Sequence, residues 1–253
     1  MLGLYRDKYS DYTVKHFHEQ LVKRHGYVHG YTVTKQALHV AGLVRPARTR
    51  SAHRKKRPRR PIRGMLLHQD GSRHVWTEGL AAMDLIVTLD DATSEIYSAF
   101  MVEEEGTAST LAGLREVIGE HGLFCALYTD RGSHYFHTPK AGEKVSKTQS
   151  TQVGRALAQL GIEHIAAYSP KARGRSERAF KTLQDRLPKE LRLAGLGRWR
   201  RPTAGCASTT LPSTMRCSRW QQSRRARRSS PTGPRPGARS CARSMSARSA
   251  TTT

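Results

Sequence analysis

Three acidic residues stand where the chain could build a site for divalent cations. Asp70 ends a predicted strand in HQDGS, Asp130 ends a buried strand in YTDRGS, and Glu177 begins a helix after SPKARGR. Hard cations such as Mg²⁺ take oxygen ligands, and two ions about 4 Å apart can clamp the attacking and leaving oxygens of a phosphoryl transfer. A single Asp at a strand end is more often a turn or cap residue. Three acids on separate elements instead indicate a metal-dependent site for phosphodiester chemistry.

Basic residues surround the third acid of this set. They lie in the loop before Glu177 and on the helix that follows it: Lys171, Arg173, Arg175, Arg178 and Lys181. A basic helix face is usually only a solvated face. Next to metal-binding acids it can hold the phosphodiester of a nucleic acid, and each phosphate contact adds salt-dependent affinity.

The charge of the whole chain also favours a polyanionic partner. Lys and Arg total 44 against 20 Asp and Glu, a formal charge of +24, which is typical of nucleic-acid-binding proteins. Residues 45–63 carry ten basic residues and no acid, and they have too few apolar side chains to fold alone. We interpret this stretch as a linker that contacts phosphates; the alternative is a solvated charge run without a specific partner. The candidate DNA contacts within it are Arg54, Lys55, Lys56, Arg57, Arg59 and Arg60.

The block from residue 64 to 196 must position the three acids. Its strands are predicted at 65–70, 83–91, 95–102, 123–130 and 162–167, and its helices at 110–122, 152–161 and 174–187. The strand MDLIVTLDD is apolar and β-branched, and the turn DATS connects it to an alternating strand as in a hairpin. A meander of three strands followed by alternating helices and strands indicates an α/β domain with a mixed sheet.

The first 44 residues contain two short helical patterns. In DYTVKHFHEQLVKRHG, apolar residues at helical spacing precede Gly26, and Asp11 or Thr13 can cap the start. In YTVTKQALHVAGL, Thr32 is the expected cap and Val33 is expected on the buried face. The pair resembles a helix-turn-helix whose second helix could lie in a major groove. The alternative is a helical hairpin that only packs on a neighbour.

Several other polar residues are expected to have structural roles. We expect Asp90 to end a strand and Asp91 to cap the following turn through its side-chain oxygen. Asp84 and the acids at 103–105 are expected at a solvated edge. Tyr135 could stack on an unpaired base, but packing against the sheet is the favoured interpretation.

Four segments together resemble a known family. The strings HQDGSRHVWTEG, DLIVTLDDATSEIY, LFCALYTDRGSHYF and AYSPKARGRSERAFKTLQDRLPKELRLAG are similar to the integrase core of DDE transposases, specifically bacterial insertion-sequence transposases of the ISNCY type. The resemblance covers about residues 1–196. It implies a ribonuclease-H-like mixed sheet with flanking helices, here preceded by the small helix-turn-helix-like all-α segment.

The resemblance also implies an activity and its partners. By motif, Asp70, Asp130 and Glu177 would be the catalytic acids that hold two ions of Mg²⁺ or Mn²⁺. The implied reaction is DNA cleavage and strand transfer at the ends of an insertion sequence. The expected partners are double-stranded DNA, namely terminal inverted repeats and target DNA, and further copies of the chain on that DNA. The alternatives are a catalytically defective remnant that only binds DNA and, disfavoured by the basic linker, a cellular ribonuclease-H-like nuclease.

The last stretch, residues 197–253, differs in composition from the rest. It contains thirteen Arg and no acidic residue, a mixture that a GC-rich gene read out of frame would produce. We hypothesise a frame-shifted, disordered tail, and the alternative is a genuine Arg-rich arm that binds nucleic acid. Without the in-frame continuation, we expect apolar surface near Phe180 and Leu187 to be exposed.

The sequence also predicts a cellular location. No run of 18 apolar residues is present, the N-terminal residues lack the apolar region of a signal peptide, and the four cysteines do not suggest a disulfide scaffold. We therefore expect a bacterial cytoplasmic protein associated with the nucleoid and not with a membrane.

Overall fold

A computed structural model describes residues 1–45, 58–139, 144–146, 148–168, 174 and 176–195, and the backbone of 209–210. These residues fall into two compact units. The helical unit contains residues 1–45 and 182–195. The sheet unit contains the described residues from 58 to 181 together with 209–210.

The helical unit is built from three short helices and the C-terminal part of a fourth. Their bounds are α1 Leu2–Lys8, α2 Val14–His25, α3 Tyr31–Val40 and α6 Ser176–Leu193. The Thr13 side chain accepts a hydrogen bond from the backbone N–H of His16, and Gly26 ends α2 in the left-handed conformation with φ 61°, as expected for these caps. A core rich in aromatic residues fills the unit, with Tyr5, Tyr9, Tyr12, Phe17, Leu21 and Leu38 at its centre.

Two details of these helices differ from the prediction. Helix α1 was not predicted, because its seven residues are too few to show a clear repeat. Helix α3 starts at Tyr31 after Gly30 rather than at a Thr32 cap, and it buries Thr34 and Leu38. Val33 is therefore 49% exposed instead of buried.

The sheet unit has the mixed sheet that the sequence predicts. The strands are β1 Leu67–His74, β2 Met83–Asp90, β3 Ile96–Val102, β4 Ala126–Thr129, β5 Glu163–Ala166 and β6 Thr209–Thr210. They pair in the order β5-β4-β1-β2-β3-β6. Strands β1, β2 and β3 form an antiparallel meander, whereas β4 is parallel to β1 and β5 is parallel to β4. This arrangement confirms the expected ribonuclease-H-like fold.

Helices α4 Thr107–His121 and α5 Gln152–Gln159 contribute to the main core of the sheet unit. Leu114 and Val117 of α4 and Leu157 of α5 are buried with Leu67 and Leu127 of the sheet. Leu67 and Leu127 are direct partners in the β1–β4 ladder. This apolar cluster holds together β1, which contains Asp70, and β4, which Asp130 directly follows.

Helix α6 extends further than its sequence predicts. The expected end at residue 187 is wrong, since the helix continues through Pro188 to Leu193. An internal proline costs a helix about 3 kcal/mol. The expected exposure of Phe180 and Leu187 is also wrong, because both side chains are buried.

Most of the stretch from residue 197 onward lies outside the described residues, so the frame-shift and disorder hypotheses stay predictions. Two residues are an exception, since Thr209–Thr210 pair antiparallel with β3. In the described part of the chain, no helix is long and apolar enough to cross a membrane.

Candidate active site

The first two acids of the predicted set are carried by the neighbouring parallel strands β1 and β4, Asp70 within β1 and Asp130 directly after β4. The β1–β4 ladder pairs Leu67 with Leu127 and His68 with Tyr128, an offset of 60 residues. Continuing this offset two residues past the last pair places Asp130, the residue directly after β4, level with Asp70. Adjacent strands are about 4.8 Å apart. The sheet therefore brings the two carboxyl-bearing residues next to each other.

The surroundings of the two aspartates differ. Asp70 is the fourth residue of β1 and is buried, so the expectation that it ends its strand is wrong. Asp130 is half-buried, and its Oδ1 accepts a hydrogen bond from the backbone N–H of Gly132 at 2.9 Å. This bond orients the Asp130 carboxylate within its turn.

The third predicted acid is not brought into the same group. Glu177 lies in the first turn of α6, as predicted, and its side chain is exposed. Within the described residues, no group of three or more His, Cys, Asp or Glu side chains could hold a metal ion. The pair of aspartates has the right donor chemistry for a divalent cation, whereas the role of Glu177 stays a prediction.

The structure places only part of the predicted DNA-binding set. Arg178 and Lys181 are exposed on α6, close in sequence to Glu177. Seven of the predicted DNA contacts lie outside the described residues. Four belong to the basic stretch 45–63 and three to the loop before Glu177: Arg54, Lys55, Lys56, Arg57, Lys171, Arg173 and Arg175.

The described end of the basic linker is attached to the turn between β2 and β3. The Arg59 guanidinium donates to the carbonyl of Ala92 at 2.7 Å and to that of Asp91 at 3.4 Å. The backbone N–H of Arg60 donates to Asp91 Oδ2 at 2.8 Å. Arg59 is therefore bonded to the protein itself, while the Arg60 side chain is exposed.

Asp90 and Asp91 have structural roles, as expected, but the predicted cap role of Asp91 is wrong. Asp90 ends β2, and its Oδ2 accepts from both the N–H and the hydroxyl of Thr93, so Asp90 rather than Asp91 caps the turn. Asp91 is fully buried and pairs with His68 Nε2 at 2.8 Å. These two acids stabilise the turn and are not candidates for metal binding.

Two acids expected at a solvated edge have structural contacts instead. Asp84 is buried, and its Oδ2 accepts from the backbone N–H of Glu105 at 2.8 Å. The Glu105 carboxylate lies 3.3 Å from the hydroxyl of Tyr135. Periodicity alone does not predict these contacts, because the acids at 103–105 follow β3 in a segment without a repeat. Tyr135 is buried in the core, which confirms packing rather than exposure for base stacking.

Comparison with known proteins relates this chain to transposases. Over 196 residues the chain is 34% identical to a protein of Sinorhizobium fredii named as a transposase, y4bF. Over 135 residues it is 33% identical to the transposase for insertion sequence IS1202 of Streptococcus pneumoniae. The chain is a relative of transposases. The aligned segments cover 77% and 53% of this chain but 42% and 29% of those two proteins, so this transposase relative spans less than half of their length.

Two solved structures similar to this transposase relative contain proteins of T-cell lymphotropic viruses. One is the HTLV-2 integrase catalytic core domain in complex with magnesium, with a TM-score of 0.40, 16% identity, and coverage of 53% of this chain and 77% of that chain. A second is the simian T-cell lymphotropic virus intasome in complex with PP2A regulatory subunit B56 gamma, with a TM-score of 0.39, 16% identity, and coverage of 83% and 72%. No family model matches the sequence.

Proposed function

We propose that this transposase relative is a DDE polynucleotidyl transferase that cleaves DNA at the ends of an insertion sequence and transfers the resulting strands. The observation that carries this proposal is the register of the adjacent parallel strands β1 and β4, which places Asp70 in β1 level with Asp130 directly after β4. A pair of carboxylates on a rigid sheet is suited to holding a divalent cation in a fixed position. The similarity to transposases supports the same reaction.

In the proposed site, Asp70 and Asp130 hold divalent cations, Mg²⁺ or Mn²⁺, and Glu177 completes the ligand set for two ions. When bound, such ions activate water or a 3′-hydroxyl for in-line attack and stabilise the leaving oxygen. The backbone N–H of Gly132 orients the Asp130 carboxylate through the bond at 2.9 Å. Asp70 pairs with Val87 of β2, and the β1 residues two and three positions before it pair with β4.

The proposed DNA contacts come from three regions. Arg178 and Lys181, with the basic residues of the preceding loop, hold the phosphodiester near Glu177. The basic stretch 45–63 follows the DNA backbone. Helix α3 carries an exposed face without any acid, formed by Tyr31, Thr32, Val33, Lys35 and Gln36, and this face is suited to a major groove.

The proposed partners are the terminal inverted repeats and target DNA. We propose that the chain works as a homo-oligomer on DNA, so that one copy can act at each end of the element. The proposed location is the bacterial cytoplasm, in association with the nucleoid.

An Asp130→Asn variant tests the proposed reaction. The amide oxygen can still accept from Gly132, so the turn is retained while the charge needed for a cation is removed. We expect metal-dependent cleavage of double-stranded terminal-repeat DNA to be lost and binding of the same DNA to be unchanged. Unimpaired cleavage by the variant would refute the assignment.

A matched pair of variants tests the third acid. Glu177→Gln should abolish cleavage, whereas Glu163→Gln, on the exposed side chain at the start of β5, should not. Equal cleavage by the two variants would exclude Glu177 from the site.

A second candidate function is DNA binding without catalysis. It is favoured by one observation, the lack of a metal-binding group of three side chains among the described residues. In that case the wild-type protein would bind terminal-repeat DNA and cleave none of it with either Mg²⁺ or Mn²⁺. Metal-dependent cleavage by the wild type would exclude this candidate.

A further inference from the structure

A buried tyrosine connects the segments that carry the two aspartates. Tyr135 is only 1% exposed, and its hydroxyl oxygen lies 3.3 Å from Glu105 Oε1 and 3.5 Å from Gln69 Oε1. Gln69 directly precedes Asp70 in β1. The Tyr135 hydroxyl has one proton to donate, and two acceptors face it. One is the Gln69 side chain beside Asp70, and the other is the Glu105 carboxylate in the connection between β3 and α4.

Tyr135 also belongs to the turn that begins with Asp130. Its backbone N–H donates to the carbonyl of Gly132 at 2.9 Å, and the Gly132 N–H donates to Asp130 Oδ1 at 2.9 Å. The carbonyl of Tyr135 accepts from the Thr151 hydroxyl at 2.9 Å. Since the turn is short and bonded within itself, a displacement of Tyr135 is transmitted to Asp130.

The two acceptors of the phenol are themselves fixed. The side-chain amide of Gln69 donates to Thr88 Oγ1 at 3.1 Å and to the carbonyl of Thr110 at 3.3 Å. The backbone N–H of Glu105 donates to Asp84. The phenol therefore joins two rigid points rather than two mobile side chains.

The Glu105 carboxylate occupies space beside position 71 that is open only because residue 71 is glycine. It lies against Gly71, the residue after Asp70, where a Cβ atom would collide with it. The Nε2 of His134 lies 3.6 Å from the same Oε1 that faces the phenol. Both sequence neighbours of Asp70 therefore contact the Glu105–Tyr135 pair. Gln69 contacts the Tyr135 hydroxyl, and Gly71 contacts the Glu105 carboxylate.

The electrostatic surroundings keep the phenol protonated. Burial raises the pKa of Tyr135 well above its ordinary value of 10, and the neighbouring Glu105, Asp130 and Asp70 carboxylates raise it further. A neutral phenol is a hydrogen-bond donor, which is the role that two carbonyl-type acceptors require.

We propose that Tyr135 and Glu105 are positioning residues that hold Asp130 level with Asp70. They act through the turn 130–135 and through β1 and do not bind the cation themselves. This inference rests on the proposed function, since it concerns the geometry of the proposed cation site.

The test measures Mn²⁺ binding to the full-length protein by calorimetry and by electron paramagnetic resonance, without DNA. Loss of a group that orients a metal ligand lowers metal affinity about 10–100-fold. We expect a loss in this range for Tyr135→Phe, with a changed resonance spectrum of the bound ion. The matched control is Tyr97→Phe, another buried tyrosine of the sheet unit, whose ring stacks on His121; it should leave Mn²⁺ affinity unchanged.

Two further variants address Glu105 independently of the phenol. Glu105→Gln removes the charge and keeps an acceptor, so its effect on Mn²⁺ affinity should be smaller than that of Tyr135→Phe. Gly71→Ala pushes the carboxylate away from Tyr135 without changing the charge of the site, and it should weaken Mn²⁺ binding although no ionisable group is altered. Thermal midpoints measured in parallel identify any variant that fails to fold, and conclusions then rest on the remaining two.

The outcomes separate this inference from the proposed function. Mn²⁺ binding that depends on Asp130 but is unchanged in all three variants would overturn the inference alone. An equal loss in Tyr135→Phe and Tyr97→Phe would also overturn it, because the effect would then follow general stability. Wild-type protein without Asp130-dependent Mn²⁺ binding would overturn the proposed function and the inference with it.

Discussion

Replacement of Glu190 by Gln should destabilise the helical unit. Glu190 Oε1 lies 2.6 Å from His16 Nε2 and accepts from the Gln20 side-chain amide at 2.5 Å. The His16 side chain is 1% exposed and that of Glu190 is 14% exposed. The pair therefore joins α2 to α6 in a place where water cannot replace a lost partner.

The expected loss is about 2 kcal/mol, because a hydrogen bond to a charged, buried group contributes roughly 1.5–3 kcal/mol. In a protein of this size, that loss lowers the thermal midpoint by about 4–8 °C. The same interface supplies a control. Arg192 forms an ion pair with Asp11 at 2.8 Å, with side chains 51% and 42% exposed. Arg192→Gln should cost less than about 1 kcal/mol, since exposed pairs are screened by solvent.

Thermal unfolding followed by circular dichroism at 222 nm measures both variants. Equal midpoints for Glu190→Gln and Arg192→Gln would refute the reasoning, because burial would then have no effect on the strength of the pair.

The dependence on pH gives a second measurement of the same pair. Burial raises the pKa of Glu190, but the hydrogen bond and charge of His16, with Lys23 and Arg24, outweigh it, so that the pKa lies below the ordinary 4.5. The stabilisation is therefore fully present above pH 4.5 and is lost as the pH falls through the lowered value. The stability difference between wild type and Glu190→Gln should therefore shrink as the pH falls below 4.5. A difference that does not shrink on acidification would contradict the assignment.

Three further measurements test other parts of the chain. Asp91→Ala should lower the thermal midpoint by about 10 °C or more, because it leaves His68 buried without its carboxylate; a shift below about 2 °C would contradict this. Burial lowers the pKa of His164 to about 4, so its imidazole resonances should titrate near pH 4 and stability should fall as the pH drops from about 6.5 towards 4; titration near 6.5 would contradict it. Affinity for double-stranded DNA should fall on the order of 10³-fold between 50 and 200 mM salt, and deletion of residues 45–63 should flatten that dependence. A salt response unaffected by the deletion would show that these charges do not contact DNA.

Much of the sheet was predictable because its strands are short apolar runs with clear boundaries. Strand β2 and helix α5 start at the predicted residues, Met83 and Gln152. Strand β1 was harder to delimit. Asp70 and Gly71 are typical of turns, yet the strand continues to His74 because all eight of its residues pair with β2.

The sequence indicated which acids are candidates for the site, but it did not predict how they are arranged in space. The types and flanks of Asp70 and Asp130 indicated a cation site from the sequence. Their level placement follows from the offset between β1 and β4, which depends on the packing of distant residues such as Leu67 and Leu127. The contact of Glu105 with Tyr135 depends in the same way on where the β3–α4 connection lies, and no local pattern encodes that position.

By itself, the sequence determined the class of fold, the candidate acids and the basic linker, because strand periodicity, charge and motif spacing are properties of neighbouring residues. Only the tertiary structure decided that α6 continues through Pro188. The local cost of that proline, about 3 kcal/mol, is offset by contacts with distant residues. Arg186 donates to Glu19 at 2.6 Å, and the Tyr12 hydroxyl donates to the carbonyl of Lys189 at 3.1 Å. These partners lie more than 160 positions away along the chain, so their contribution exists only once the helical unit has folded.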